Sequence, residues 1–171
     1  MADLSAVRSF FCPIMLKFWN YDIVFQEIPD ETTLAINLTN CPNHCAECHS
    51  KHLWEDIGTE LNEDTLVQLL EPYGQVITCV CFMGGDREPE AVDRLAAYIR
   101  REQAELKTAW YSGRQMLSPR VGICNFDYIK LGPYLPERGS LKSKTTNQRL
   151  YRIDSGELVD ITSLFWKSNF D

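Results

Sequence analysis

The chain has 171 residues, 44% of them hydrophobic, with a formal net charge of −7 and a pI near 5.0. That is the length of one domain with enough apolar content for a real core, and the acidic balance without any run of Lys or Arg opposes binding to nucleic acid. No apolar run reaches the roughly 18 residues of a membrane helix, and seven cysteines, an odd number, fit reduced thiols better than a disulfide framework, so a cytoplasmic protein with no membrane association is expected.

Residues 1–14 do not fit the pattern that begins at Met15 in MLKFWNYDIVFQEIPDE. They are either an extra N-terminal arm, with Cys12 an unpaired thiol in a loose tail, or residues ahead of a true start at Met15; the second reading is favoured, and residues 15–171 are taken as one domain. Asp3, Arg8 and Lys17 interrupt the apolar opening, which lacks a signal-peptide layout.

Residues 22–28, DIVFQEI, alternate as a strand, and Pro29, Asp30 and Glu31 make a turn. A second strand over 33–39, TLAINLT, delivers the chain into NCPNHCAECHSKHLWED, residues 40–56. Here Cys41, Cys45 and Cys48 form C-x3-C-x2-C, with His49 directly after and Trp54 six residues on. Thiolates suit iron and zinc, and such short spacings let one loop wrap one centre. Pro42 fits poorly in a helix, so a folded loop is expected. A structural zinc would need a fourth ligand from His44, His49 or His52, whereas a cubane on three cysteines keeps one iron open.

C-x3-C-x2-C resembles the cluster motif of the radical S-adenosylmethionine enzymes, and the longer CPNHCAECHSKHLW is similar to the small activating proteins of anaerobic ribonucleoside-triphosphate reductase.

Asn62 caps a helix over NEDTLVQLLEPYG, with Leu66, Leu69 and Leu70 as its buried stripe and Gly74 at its close. QVITCVCFMGGD is then a strand, giving a parallel βαβ unit, and Cys79 and Cys81 share one face of it as packed thiols. Gly84-Gly85-Asp86 ends that strand. By itself it reads as a strand-to-helix turn; in context it resembles the Gly-Gly-Glu segment of the same enzymes, which holds the methionyl amino group, with Asp for the usual Glu.

Residues 88–105 form the clearest helix, with Val92, Leu95, Ala96 and Ile99 on one face, and KTAWYSG is a strand ending at Ser112. From Ser118 the alternation of helix and strand fades. ICNFDYIKLG reads as a strand with Cys124, Phe126 and Tyr128 on one face, and a short strand over 148–153 lies among turns at Gly132-Pro133, Arg138-Gly139 and Ser155-Gly156. Thr146 to Arg149 reads as a polar turn, and Phe165, Trp166 and Phe170 as a helix packed on the sheet. DYIKLGPYLPERGSL, TTNQRLYRI and ITSLFWKSNF again look like the reductase activators, so the resemblance runs from about residue 15 to the end.

The resemblance implies an α/β fold, a partial (β/α) barrel in a single domain, with a [4Fe–4S] cluster on Cys41, Cys45 and Cys48 and S-adenosylmethionine on the open iron. Gly84, Gly85 and Asp86 would hold the methionyl end, Glu47 and His49 the adenosine, and Ser112 would border the cofactor. Reductive cleavage would yield a 5′-deoxyadenosyl radical that takes a hydrogen atom from a glycine of the reductase catalytic subunit, with flavodoxin or ferredoxin as electron donor. Other readings are activation of a different glycyl radical enzyme, radical chemistry on a small molecule, or a non-catalytic zinc-binding adaptor.

Overall fold

The computed structural model describes residues 15–166, so the N-terminal stretch with Cys12 and the terminal residues with Phe170 lie outside the described residues. Eight strands form one mixed sheet, with two α-helices among the described residues. Strand β1 (Lys17–Val24) turns back antiparallel onto β2 (Thr33–Leu38), and β3 (Thr59–Glu60) adds to the outer edge of β1. The expected strand at 22–28 is corrected: it starts five residues earlier and ends at Val24. A register shift between Phe18 and Asn20 breaks the period-2 pattern at its start, where Phe18 is buried and Trp19 exposed, so only the later half alternates.

Asn62 caps α1 (Glu63–Leu70), its side chain accepting from Thr65 N at 2.9 Å, and Leu66, Leu69 and Leu70 are buried as the spacing predicts. Strand β4 (Cys79–Met83) runs parallel to β2, which bears out the βαβ unit. α2 (Pro89–Glu102) takes Pro at its first position and buries Ala91, Val92, Leu95, Ala96 and Ile99; Val92, Leu95 and Ile99 contribute about 1.5–3 kcal/mol each. β5 (Lys107–Tyr111) and β6 (Tyr128–Leu131) extend the parallel set, and the link between them holds no α-helix.

The expected strand at 123–132 is shorter than its sequence suggests. Residues Ile123–Asn125 form a 3-10 turn that breaks the alternation, leaving Cys124 exposed and sending Phe126 and Tyr128 to opposite sides of the sheet. Strands β7 (Arg149–Asp154) and β8 (Glu157–Asp160) close the series as an antiparallel hairpin. Its two-residue loop has Ser155 at φ 52° and Gly156 at φ 84°, the positive values a primed turn requires. All four residues of β8 are exposed, so no alternation marks it in the sequence.

The strand order is β3-β1-β2-β4-β5-β6-β7-β8, and the sheet does not close. α1 and α2 pack with Leu34, Ile36, Val80, Phe82, Trp110 and Ile129 on one face. On the other, Cys79 and Cys81 lie with Ala109, Tyr128 and Leu150 under Ile28 and Leu141; both thiols are buried core groups, as their shared face predicts. The 3-10 turn Thr162–Trp166 packs Phe165 there, and Trp166 Nε1 donates to Leu141 O at 3.0 Å. No described helix is long and apolar enough to cross a membrane.

Candidate functional site

Because β2, β4, β5 and β6 are parallel and in register, their carboxyl ends share one edge of the sheet, where α/β folds place ligands. Asn37 pairs with Met83, Met83 with Tyr111, and Tyr111 with Lys130. The ladder runs on into the loops: Gly84 N donates to Tyr111 O and Ser112 N to Lys130 O, each at 2.9 Å. The cysteine loop, the two glycines with Asp86, Ser112 and Gly132 therefore emerge side by side.

The cysteine loop is not helical. Asn40 N donates to Glu55 O and Cys41 N to Leu53 O, both at 2.9 Å, so the loop's ends are tied together. Asn40 (φ 57°), His44 (φ 44°) and Glu47 (φ 55°) are left-handed, and each immediately precedes one of the three cysteines. Such a residue other than glycine costs about 1–2 kcal/mol, and conformations of this kind gather at functional sites. His44 stacks on Trp54 with ring centroids 4.6 Å apart and planes 5° from parallel, and Lys51 lies 5.8 Å over the same ring. Trp54 is thus the platform on which the loop folds, and His44 has a packing role.

Cys41, Cys45 and Cys48 are half-buried. Burial raises the Cys41 thiol; a backbone hydrogen bond from Asn43 pulls it down, while Asp86, Cys45 and Cys48 push it further up. Three thiolates here therefore call for positive charge. Among the described residues no three His, Cys, Asp or Glu side chains converge tightly enough to hold a single metal ion. Glu47 and His49 are exposed on the loop, with the His49 ring 6.0 Å from that of Tyr134. His52 is exposed, 6.0 Å from Trp19.

Asp86 joins three of these segments. Its Oδ1 accepts from Ser112 Oγ at 2.5 Å, and its Oδ2 from Gly113 N at 2.8 Å and from Asn43 Nδ2 at 2.5 Å. Asp86 is 6% exposed, so these three donors replace the water its carboxylate loses. Gly84 and Gly85 both have positive φ. A Cβ on Gly85 would come within 2.6 Å of Val92 Cγ2 and 2.7 Å of Leu38 Cδ1, so this glycine also lets α2 pack against the end of β2. Trp110 Nε1 donates to Gly84 O at 2.6 Å and fixes the turn from the helix side. A groove of about 410 Å³ opens beside Asp86 and Ser112, between Arg87, ahead of α2, and Arg114 after β5.

Asn43, Gly113 and Lys130 complete the site and are not singled out by the sequence motifs. Asn43 sits inside the cysteine spacing, and Lys130 is a lysine in an otherwise apolar strand, which is the signal that could have found it. Thr146 and Asn147 tie back to the loop before them, as a polar turn would, whereas Arg149 already opens β7. Asn147 Nδ2 donates to Pro133 O at 2.9 Å, Arg149 Nη1 to Thr146 O at 2.7 Å, and Thr146 Oγ1 to Gly139 O at 3.3 Å.

Compared with protein-family models, with curated proteins and with solved structures, the chain matches none.

Proposed function

We propose that this protein is a radical S-adenosylmethionine activating enzyme on a partial (β/α) barrel, holding a [4Fe–4S] cluster on Cys41, Cys45 and Cys48, and that its substrate is a glycine of an anaerobic ribonucleoside-triphosphate reductase. The observation that carries the reading is the Asn43 to Asp86 hydrogen bond, which brings the cysteine loop against Gly84, Gly85 and Ser112 at the carboxyl edge of four parallel strands. The donor set fits the cluster: three soft, half-buried thiols on one strained loop, with the ionisation of Cys41 opposed by its surroundings.

When bound, the cluster would supply the electron for reductive cleavage of S-adenosylmethionine, the radical chemistry by which the glycine would lose its hydrogen atom. The chain's own residues bind and orient. The three cysteines fix the cluster's place, Asp86 with the Gly84-Gly85 backbone receives the methionyl ammonium, and Glu47 and His49 on the rim meet the adenosine. Ser112 acts through Asp86, whose Oδ1 it fixes. The exposed rim of the cysteine loop, with Glu47 and His49, is where a loop of the reductase subunit and a flavodoxin or ferredoxin would approach.

Electron paramagnetic resonance on anaerobically reconstituted, reduced protein tests this, with iron and zinc content measured alongside. The expected result is a reduced-cluster signal that shifts on adding S-adenosylmethionine and is lost in Cys45→Ala. One bound zinc and no cluster signal would replace this reading with the zinc-binding adaptor. Cofactor cleavage without a glycyl radical on the reductase would move the substrate to another glycyl radical enzyme or a small molecule.

A further inference from the structure

Arg87, Arg114 and Arg120 stand around the groove beside Asp86, and all three are exposed. In a chain whose net charge is −7 this is a local reversal of sign. Two carboxylates line the groove and both are engaged: Asp86 accepts from Ser112, Gly113 and Asn43, and Glu90 accepts from Arg120 Nη1 at 3.0 Å. Arg87 and Arg114 form no ion pair with any described residue. Between the arginines the surface is apolar: Met116 is 80% exposed, and Leu117 and Pro119 continue the lining. Arginine and methionine are enriched where proteins meet. An exposed methionine among free guanidiniums is complementary to a protein face that presents carboxylates around an apolar side chain.

The position of the groove decides which partner this is. Its inner wall is Asp86, Trp110 and Ser112, all buried. Arg114 follows Gly113, whose N donates to Asp86 Oδ2 at 2.8 Å and where a Cβ would lie 2.4 Å from Asn43 Nδ2. Asn43 in turn lies between Cys41 and Cys45. Packed protein, rather than solvent, therefore separates the groove from the cysteine loop. An electron crosses such a wall by tunnelling, whereas removal of a hydrogen atom requires the reacting atoms to touch. A partner seated here can deliver an electron but cannot present a glycine.

We propose that the groove framed by Arg87, Arg114 and Met116 is the docking site of an acidic one-electron donor protein, seated apart from the reductase subunit. This rests on the radical S-adenosylmethionine reading, which needs an electron from outside the chain. The donor loses one electron and the cluster gains it, with no bond made or broken. Exposed charges of this kind act mainly on the rate of encounter, by about ten- to a thousandfold, and salt screens them beyond about 10 Å at 0.1 M.

The test uses reduced flavodoxin as donor and photoreduced deazariboflavin as an uncharged reductant, on the full chain, wild type against Arg87→Glu combined with Arg114→Glu. Affinity for oxidised flavodoxin is measured on the reconstituted and the iron-free chain, and cluster reduction is followed by absorbance. The wild type is expected to bind flavodoxin in both forms, and to be reduced by it about ten- to a hundredfold more slowly as salt rises from about 0.05 to 0.5 M. The double variant loses about ten- to a hundredfold in flavodoxin affinity in both forms, while reduction by deazariboflavin and affinity for the reductase subunit change less than about twofold. Undiminished flavodoxin binding, or an equal loss of rate with deazariboflavin, overturns the proposal. Loss of reductase binding in place of flavodoxin binding assigns the groove to the substrate protein and overturns it as well. Should the double variant not retain iron, Met116→Asp carries the same comparison. A wild-type rate indifferent to salt, or no reduction by flavodoxin of a cluster that deazariboflavin reduces, overturns the proposal without any variant. Failure of the wild type to take up iron overturns the radical reading itself.

Discussion

Asn43 Nδ2 donates to Asp86 Oδ2 at 2.5 Å, across forty-three positions of sequence, and so couples the cysteine loop to the turn that ends β4. Asp86 is buried, and each of its donors replaces a water it lost on folding. Hydrogen bonds to charged groups contribute about 1.5–3 kcal/mol. Asn43→Ala is therefore expected to lower the melting temperature by roughly 3–10 °C and to speed amide exchange over residues 40–50. Unchanged exchange in that loop would show that Asp86 does not hold it.

Gly113 makes the same link testable from the other side. A Cβ there would lie 2.4 Å from Asn43 Nδ2 and 3.4 Å from Asp86 Oδ2. Gly113→Ala should push Asn43 off the carboxylate, and because both substitutions break one contact their effects should not add. The double variant is expected to melt within about 0.5 kcal/mol of the worse single one; a simple sum of the two losses would place the clash elsewhere.

At the opposite edge of the sheet, Glu31 accepts from Lys107 Nζ, from Thr78 Oγ1 at 2.6 Å and from Tyr128 OH at 3.0 Å. Burial by itself raises this carboxyl, but hydrogen bonds from Lys107, Thr78 and Tyr128 outweigh it and hold Glu31 below its ordinary value; Lys107 is raised in turn by its hydrogen bond to Glu31. A lowered carboxyl adds stability that is full above its unfolded value of about 4.3 and is lost as pH falls through the folded value. The raised lysine adds stability present below about 10.4 and lost as pH rises through its own folded value. The gap in melting temperature between wild type and Glu31→Gln should be widest from about pH 5 to 10 and shrink toward pH 3. A constant gap across that acid range would contradict the assignment.

Thiol reactivity should divide the cysteines of the iron-free protein. Cys124 is exposed, whereas burial pushes the Cys79 and Cys81 thiols far above the usual cysteine range. Iodoacetamide labelling followed by peptide mass mapping should find Cys124 modified early, Cys41 later than Cys124, and Cys79 and Cys81 only under denaturant. Native labelling of Cys79 would mean that the helix-free face opens more readily than its packing implies.

Residues that act through their neighbours in the chain were legible in the sequence alone. The leucine spacing and Asn62 fixed α1, the apolar stripe fixed α2, and the cysteine spacing marked the loop, because each depends on contacts within a few positions. The bulge at the start of β1 and the 3-10 turn before β6 blurred two strand boundaries, since both interrupt the period that a strand is read by. Only the tertiary structure decided that Asn43, Asp86, Ser112 and Gly113 form one hydrogen-bonded group, and that Lys130 is buried beside it without a counterion. The reason is the parallel register of four strands, which brings residues dozens of positions apart to a common edge; no local pattern encodes that adjacency.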